Sequence, residues 1–130
     1  MRKIIIDTNF LMIPFQFSVD IFSEFGRICS FHYKLNVYEQ SINELEQIIR
    51  TGKDKKAAKL ALRLINLKEI HIIKSSEKDV DYAILRNLNG DTIVATQDAE
   101  LKRKLIKKGA SIIFMRQKKY LQLLERKLYK

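Results

Sequence analysis

The amino-terminal stretch Lys3-Ile4-Ile5-Ile6-Asp7-Thr8-Asn9 contains three consecutive β-branched residues followed at once by polar ones. This pattern is typical of a short, buried strand that stops at Asp7. Strands that are apolar on both sides occur mainly in parallel sheets, whose two faces are covered by helices. The stretch therefore predicts an α/β fold, and it places a carboxylate directly beyond the carboxyl end of the first strand.

The rest of the chain alternates between strand-like and helical segments. Further strands are predicted at 35–38, 70–73, 92–96 and 111–114. Helices are predicted at 19–25, 42–50, 54–67, 78–88 and 99–107, with a basic tail helix from Lys118. Strands that alternate with helices indicate crossover connections and a mostly parallel central sheet. In such sheets, functional sites form beyond the carboxyl ends of the strands.

Composition narrows the function classes. The 130 residues, 46% of them hydrophobic, are expected to form one domain, residues 1–130. The 25 Lys and Arg residues outnumber 15 Asp and Glu residues, and the formal net charge of +10 favours polyanionic partners such as nucleic acid. A single cysteine, Cys29, excludes an intramolecular disulfide and favours the cytoplasm. No apolar run approaches membrane-spanning length, so no membrane partner is expected.

Asp81 is the acid whose position is hardest to explain by folding alone. On a helix over 78–88, Asp81 falls inside the arc formed by the apolar residues Val80, Ala83, Ile84, Leu85 and Leu88. An ionised carboxylate that faces the interior costs several kcal/mol unless it is paired or binds a metal. Asp79 is interpreted as structural, because it projects to the opposite side and Ser76-x-x-Asp79 matches a capping box.

Asp7 and Asp98 each follow the carboxyl end of a predicted core strand, where their side chains can converge. Both also have a structural interpretation. Asp7 can form an Asx turn or cap with Asn9, and Asp98 can be the N-cap of the helix over 99–107. The local sequence leaves both interpretations open.

Glu44 has the strongest structural alternative, because Ser41-Ile42-Asn43-Glu44 is itself a capping box ahead of an apolar helix face. Spacing alone does not separate a cap from a metal ligand. The two histidines, His32 and His71, lack metal-binding spacing and are interpreted as packing or surface residues.

Four motifs, taken together and in this order, resemble those of the PIN domain family of metal-dependent ribonucleases. IIIDTNFLMI (4–13) resembles the opening strand with its first acid, and NEL (43–45) resembles the second motif. DYAI (81–84) and VATQDAELKRKL (94–105) resemble the third and last motifs. The resemblance covers nearly the whole chain and identifies as site residues the acids Asp7, Glu44, Asp81 and Asp98, supported by Thr8, Asn9 and Thr96.

The resemblance implies a three-layer α/β/α sandwich and a divalent-metal-dependent endoribonuclease in which the four acids hold Mg²⁺ or Mn²⁺. The wording of the first and last motifs is most similar to the ribosomal-RNA processing branch and its archaeal relatives, so the implied partners are RNA and a pre-ribosomal particle. VapC-type toxin ribonucleases and a catalytically silent RNA-binding ribosome-assembly protein are the alternatives. A homodimer is a further candidate assembly.

Basic residues follow the last acid. Arg103, Lys104 and Lys107 form a polar arc of the helix over 99–107, with Lys108 at its edge. The basic character continues through four residues of the tail, namely Arg116, Lys118, Lys119 and Tyr120. A solvated face is the simpler interpretation of such a run. Because the run begins beside the proposed acids, these residues are also candidate RNA contacts, in which cations bind phosphates and Tyr120 stacks on a base.

Overall fold

The computed structural model describes residues 1–126. Its strands are β1 (Arg2–Ile6), β2 (Tyr33–Tyr38), β3 (His71–Ile73), β4 (Thr92–Ala95), β5 (Ser111–Arg116) and β6 (Tyr120–Leu124). Its helices are α1 (Thr8–Leu11), α2 (Ile13–Phe17), α3 (Ile21–Ile28), α4 (Glu39–Thr51), α5 (Lys55–Leu67), α6 (Val80–Arg86) and α7 (Ala99–Lys107). The predicted alternation of strands and helices is confirmed through β5.

The strands form one sheet in the order β3-β2-β1-β4-β5-β6, in which the first five are parallel and β6 is antiparallel. The central strand β1 pairs with β2 on one side and with β4 on the other. The chain therefore places β2 and β3 on one side of β1 and then crosses over to place β4 and β5 on the other side. Such a switch point opens a crevice beyond the carboxyl ends of the two strands.

Alternate side chains of β1 enter two separate cores. Ile4 and Ile6 point to the face covered by α1 to α5, whereas Ile5 points to the face covered by α6 and α7. The first core includes Phe10, Ile21, Phe25, Leu45, Ala58, Ala61 and Ile65, and the second includes Val80, Ala83, Ile84, Leu101 and Leu105. Each buried aliphatic or aromatic side chain contributes about 1.5–3 kcal/mol. The two cores confirm the three-layer α/β/α sandwich.

Several helix ends differ from the predicted ones. Helix α4 begins at Glu39, three residues before the predicted start, and α6 begins only at Val80 because Asp79 is its N-cap. The short helices α1 and α2 were not predicted. None of the helices within residues 1–126 combines the length and the apolar character that crossing a membrane requires.

The chain beyond β5 forms a strand, so the tail helix predicted from Lys118 is wrong within the described residues. Gln117 and Lys118 both have a φ of 54°, and the N–H of Lys119 closes the turn by donating to the Arg116 carbonyl at 3.0 Å. Pairing of β6 with β5 overrides the helical propensity of its Leu and Gln residues. The remainder of the predicted helix, 127–130, lies outside the described residues.

The outer edge of β6 is closed by α3. The Leu121 N–H donates to Glu24 Oε1 at 2.8 Å, and Arg27 donates to the Leu121 carbonyl at 2.9 Å. Glu24 and Arg27 also pair with each other at 2.9 Å. These contacts satisfy backbone groups of an edge strand that would otherwise be open to another chain. They also fix the β5–β6 hairpin against the rest of the molecule.

Candidate active site

Asp7 is buried where the chain leaves β1, with 4% of its surface exposed. Its Oδ1 accepts the Thr8 N–H at 2.9 Å, and its Oδ2 accepts the Thr96 hydroxyl at 2.7 Å. Burial, together with the charges of Asp81 and Glu44, raises the pKa of Asp7 to about 6 in spite of these two hydrogen bonds. The carboxylate does cap the short helix α1, but through Thr8 rather than Asn9.

Thr96 connects Asp7 to Asp98. The fully buried Thr96 hydroxyl donates to Asp7 and accepts the backbone N–H of Asp98 at 3.1 Å. Asp98 Oδ1 accepts the Leu101 N–H at 3.0 Å, so Asp98 is the N-cap of α7. A cap uses one carboxylate oxygen and leaves the other facing the crevice. The structural and the functional interpretation of Asp98 are therefore compatible.

Glu44 does not cap α4, because that helix begins at Glu39 and its N-cap is Tyr38. Instead, Glu44 Oε1 accepts a short hydrogen bond from the Thr8 hydroxyl, which also lies 2.8 Å from the Ser41 hydroxyl. Since Thr8 has one hydroxyl hydrogen, it donates to the carboxylate and accepts from Ser41. The capping-box alternative for Glu44 is excluded, and Ser41 is a supporting residue that the sequence did not reveal.

Burial raises the pKa of Glu44, and the Thr8 hydrogen bond opposes this rise. Burial also raises the pKa of the half-buried Asp81, with the charges of Asp98 and Asp79 adding to it and that of Lys104 opposing it. The shifts show that these acids lie close enough to repel one another. Carboxylates that are partly buried and repel one another favour the binding of a neutralising cation.

Asp79 also faces the other acids, which contradicts the interpretation that it projects to the opposite side. Its Oδ1 accepts the Tyr82 N–H at 3.0 Å and caps α6, as a structural residue would. Because α6 begins three residues later than a capping box at Ser76 implies, this cap lies at the crevice. The spacing of Ser76 and Asp79 did not determine where α6 starts, and the side on which Asp79 lies depends on that start.

The acids surround one cavity of about 260 Å³. Its lining residues are Asp7, Thr8, Asn9, Glu44, Asp79, Val80, Asp81 and Asp98. The four predicted acids thus come together, each from a different part of the chain, with the exposed Asn9 beside them. Within residues 1–126, no three acidic, histidine or cysteine side chains already converge as a ready-made metal site.

The chemistry of the donors nevertheless fits a hard cation. Carboxylate, hydroxyl and amide oxygens are the ligands that Mg²⁺ and Mn²⁺ prefer, and the cavity lining contains no imidazole or thiol. His32 and His71 lie exposed elsewhere on the surface, in agreement with their predicted role as packing or surface residues.

Comparison with known proteins identifies the family. Residues 4–118 match the family model described as a PIN like domain. This chain belongs to the PIN-like domain family.

The PIN-like domain is also similar to individual relatives. It is 33% identical over 129 residues to Ribonuclease VapC4 of Methanocaldococcus jannaschii, in an alignment that covers 95% of this chain and 97% of the relative. The structure of the PIN domain endonuclease Utp24 matches with a TM-score of 0.79, covering 98% of this chain and 96% of that chain at 21% identity. At that identity, the structural likeness shows the fold alone. The predicted PIN domain ribonuclease family is confirmed.

The candidate RNA contacts on α7 lie on two sides of that helix. Lys104 is close enough to the cavity to lower the pKa of Asp81. Arg103 and Lys107 instead line a shallow apolar cavity between α7 and the β5–β6 hairpin. Ile106 is 38% exposed beside them. Lys108 is exposed just beyond the end of the helix.

The remaining candidate RNA contacts lie on the turn of the β5–β6 hairpin and its flanks. Arg116, Lys118 and Lys119 are exposed, and Tyr120 is 36% exposed. Because β5 is parallel to β4, the turn lies at the same edge of the PIN-like domain as the acids. Lys118 Nζ lies 5.8 Å from the centroid of the Phe17 ring.

Proposed function

We propose that this PIN-like domain, residues 1–130, is a divalent-metal-dependent endoribonuclease that hydrolyses RNA phosphodiester bonds. The convergence of Asp7, Glu44, Asp81 and Asp98 on one cavity is the observation that carries the proposal. The similarity to a protein named a ribonuclease supports RNA as the substrate class. The net charge of +10 supports a polyanionic substrate.

Asp7, Asp81 and Asp98 would hold Mg²⁺ or Mn²⁺, and Glu44 would do so directly or through a water molecule. When bound, such a cation supplies Lewis-acid chemistry at a phosphodiester. Asp7 is suited to this role because a pKa of about 6 leaves it largely ionised at pH 7. Thr8 and Thr96 orient the carboxylates through the hydrogen bonds described above.

The acids also control when RNA enters the cavity. Several carboxylates around one cavity repel a phosphate group unless a cation neutralises them. Cation binding and RNA binding at the cavity are therefore coupled. Lys104 provides a fixed positive charge beside Asp81, and Asn9 offers an amide donor at the cavity.

The basic residues are proposed to hold the RNA backbone outside the cavity. On α7 these are Arg103, Lys104 and Lys107, with Lys108 just beyond the helix, and on the hairpin they are Arg116, Lys118 and Lys119, with Tyr120 as a stacking residue. Contacts to phosphate release counterions, so affinity for RNA should fall steeply with salt.

Two biological roles fit this activity. The motif wording supports ribosomal-RNA processing, with a pre-ribosomal particle as partner, and the VapC4 relative supports a toxin-type ribonuclease. We also propose that the protein is located in the cytoplasm and forms a homodimer. Arrest of growth on expression, rescued by a small protein encoded next to this chain, distinguishes the toxin role from RNA processing.

The purified protein tests the activity directly. Structured and single-stranded RNA are incubated with Mn²⁺, with Mg²⁺ and with a chelator, and the product ends are determined. We expect metal-dependent cleavage that leaves a 5′-phosphate and a 3′-hydroxyl. RNA binding without cleavage under every metal condition would support the silent RNA-binding protein instead.

A further inference from the structure

Phe17 is a large aromatic residue that remains 37% exposed at the end of α2. Two other segments approach it. The hairpin turn places Lys118 Nζ 5.8 Å from its ring centroid. The connection between α4 and α5 is joined to the neighbouring residue by a hydrogen bond of 2.8 Å from Gln16 Nε2 to Asp54 Oδ2. Phe17 therefore lies where three separate segments meet.

The backbone is unusual in all three segments. Ser18, Asp54, Gln117 and Lys118 have φ values of 57°, 58°, 54° and 54°, in the left-handed region that non-glycine residues rarely adopt. They are four of the five such residues in the described part of the chain. Ser18 ends α2, Asp54 precedes α5, and Gln117 and Lys118 form the hairpin turn, so each belongs to the end or the turn of a segment that meets the others at Phe17.

The same surface carries a concentration of positive charge. Exposed lysines occur in two of the segments that meet at Phe17, namely Lys53 on the α4–α5 connection, Lys55 and Lys56 at the start of α5, and Lys118 and Lys119 on the hairpin turn. Proteins bind single-stranded nucleic acid with cations that contact phosphates and with aromatic rings on which bases stack.

We propose that Phe17 is a base-stacking platform for single-stranded RNA and that the lysines of the two segments that approach it bind the adjacent phosphates. This inference rests on the proposed function and extends it by specifying how the substrate is held. Phe17 lies ten positions after Asp7 along two short helices, which limits their separation to about 15 Å. A single strand bound at Phe17 can therefore continue into the acidic cavity.

Phe15 provides a matched control, because it is also 37% exposed and belongs to the same helix. It lies instead in a cavity with Pro14, Phe22 and Leu64. Binding of an unstructured RNA oligonucleotide and of an RNA duplex is measured by fluorescence anisotropy, in chelator so that no cleavage occurs. Wild type, Phe17→Ala, Phe17→Tyr and Phe15→Ala are compared, and their thermal unfolding midpoints establish that each variant is folded.

We expect Phe17→Ala to weaken single-stranded binding by about 5- to 100-fold, the effect of losing one stacked base. Phe17→Tyr and Phe15→Ala should remain within about twofold of wild type. Duplex binding should not change, because paired bases cannot stack on the ring. Equal effects of Phe17→Ala and Phe15→Ala, an equal loss for duplex and single strand, or no single-stranded binding by wild type would overturn the proposal.

Cleavage by wild type in Mn²⁺, measured separately, distinguishes the two proposals. If wild type cleaves RNA and Phe17→Ala binds normally, the stacking platform is wrong and the nuclease stands. If Phe17→Ala loses single-stranded binding and wild type does not cleave, the platform stands and the nuclease is wrong.

Discussion

Thr96 donates its hydroxyl hydrogen to Asp7 Oδ2 at 2.7 Å, across the boundary between β4 and β1. This hydrogen bond stabilises the ionised form of Asp7 against the effect of burial. It also joins the two strand ends from which Asp7 and Asp98 emerge. The geometry of the acids therefore depends on a neutral side chain that is not itself a proposed ligand.

Replacing Thr96 with valine tests this dependence. Thr96→Val removes the hydroxyl donor at similar volume, so the pKa of Asp7 should rise above about 6 and the acidic limb of the rate profile should move to higher pH. We also expect a loss of about 1–3 kcal/mol in stability. The matched control is Thr92→Val, since Thr92 is also buried, at the amino end of β4, and its hydroxyl donates to Asn89. A shift of the same size in both variants would refute a specific role for Thr96.

Asp7→Asn should stabilise the metal-free protein at neutral pH. The folded-state pKa of Asp7 is about 6 against an ordinary value of 3.8, so the folded state binds more protons than the unfolded state between these values. Stability of the wild type should therefore decline as pH rises from about 4 to about 6, by up to about 3 kcal/mol. Asparagine at position 7 removes this decline.

Urea unfolding in chelator at several pH values measures the difference between wild type and Asp7→Asn. The two proteins should be similar in stability at acidic pH, and the variant should be more stable by about 1–3 kcal/mol at pH 7. A variant less stable than wild type at pH 7 would show that burial does not penalise the Asp7 charge.

The Ser41–Thr8–Glu44 hydrogen bonds give a third prediction. Thr8→Val removes the donor to Glu44 and should lower cleavage by about 10- to 100-fold, as loss of a residue that orients ligands does. Ser41→Ala leaves the Thr8 donor in place and should have a smaller effect. Cleavage rates at several Mn²⁺ concentrations distinguish weaker metal activation from a lower maximal rate. Ser41→Ala matching Thr8→Val would contradict the direction of donation inferred here.

The sequence alone revealed the acids whose positions follow from regular structure. Asp7 and Asp98 follow core strands, and Asp81 interrupts an apolar helix face, so periodicity was sufficient to predict these positions, whereas the choice of Asp98 as more than an N-cap depended on the family resemblance. The role of Glu44 was obscured because residues 41–44 match a capping box. The helix in fact begins at Glu39, with Tyr38 as its N-cap, so the match has no structural role. The contact with Thr8 joins residues 36 positions apart, which no local pattern encodes.

The parts of the structure that were missed depend on long-range contacts. Strand β6 forms because β5 offers an open edge and because Glu24 and Arg27 of α3 satisfy Leu121. Its own residues favour a helix. Similarly, Asp79 joins the cavity only because α6 begins at Val80.

Lys104 and Lys107 provide a comparison within one helix. Lys104 acts on Asp81, whereas Lys107 lines the apolar cavity on the other side. Lys104→Ala should raise the pKa of Asp81 and reduce cleavage at pH 6 more than at pH 8, because more of Asp81 becomes protonated. Lys107→Ala should weaken RNA binding without this pH dependence. Identical pH profiles for the two variants would contradict the placement of Lys104 at the acids.

The most direct test of the central claim is Mn²⁺-dependent cleavage of RNA by wild type, Asp81→Asn and Asp91→Asn. Asp91 is an exposed acid at the amino end of β4, on the opposite edge of the sheet, so the same substitution there controls for charge. The account predicts a loss of more than about 100-fold for Asp81→Asn and unchanged cleavage for Asp91→Asn. Equal cleavage by all three proteins would contradict it.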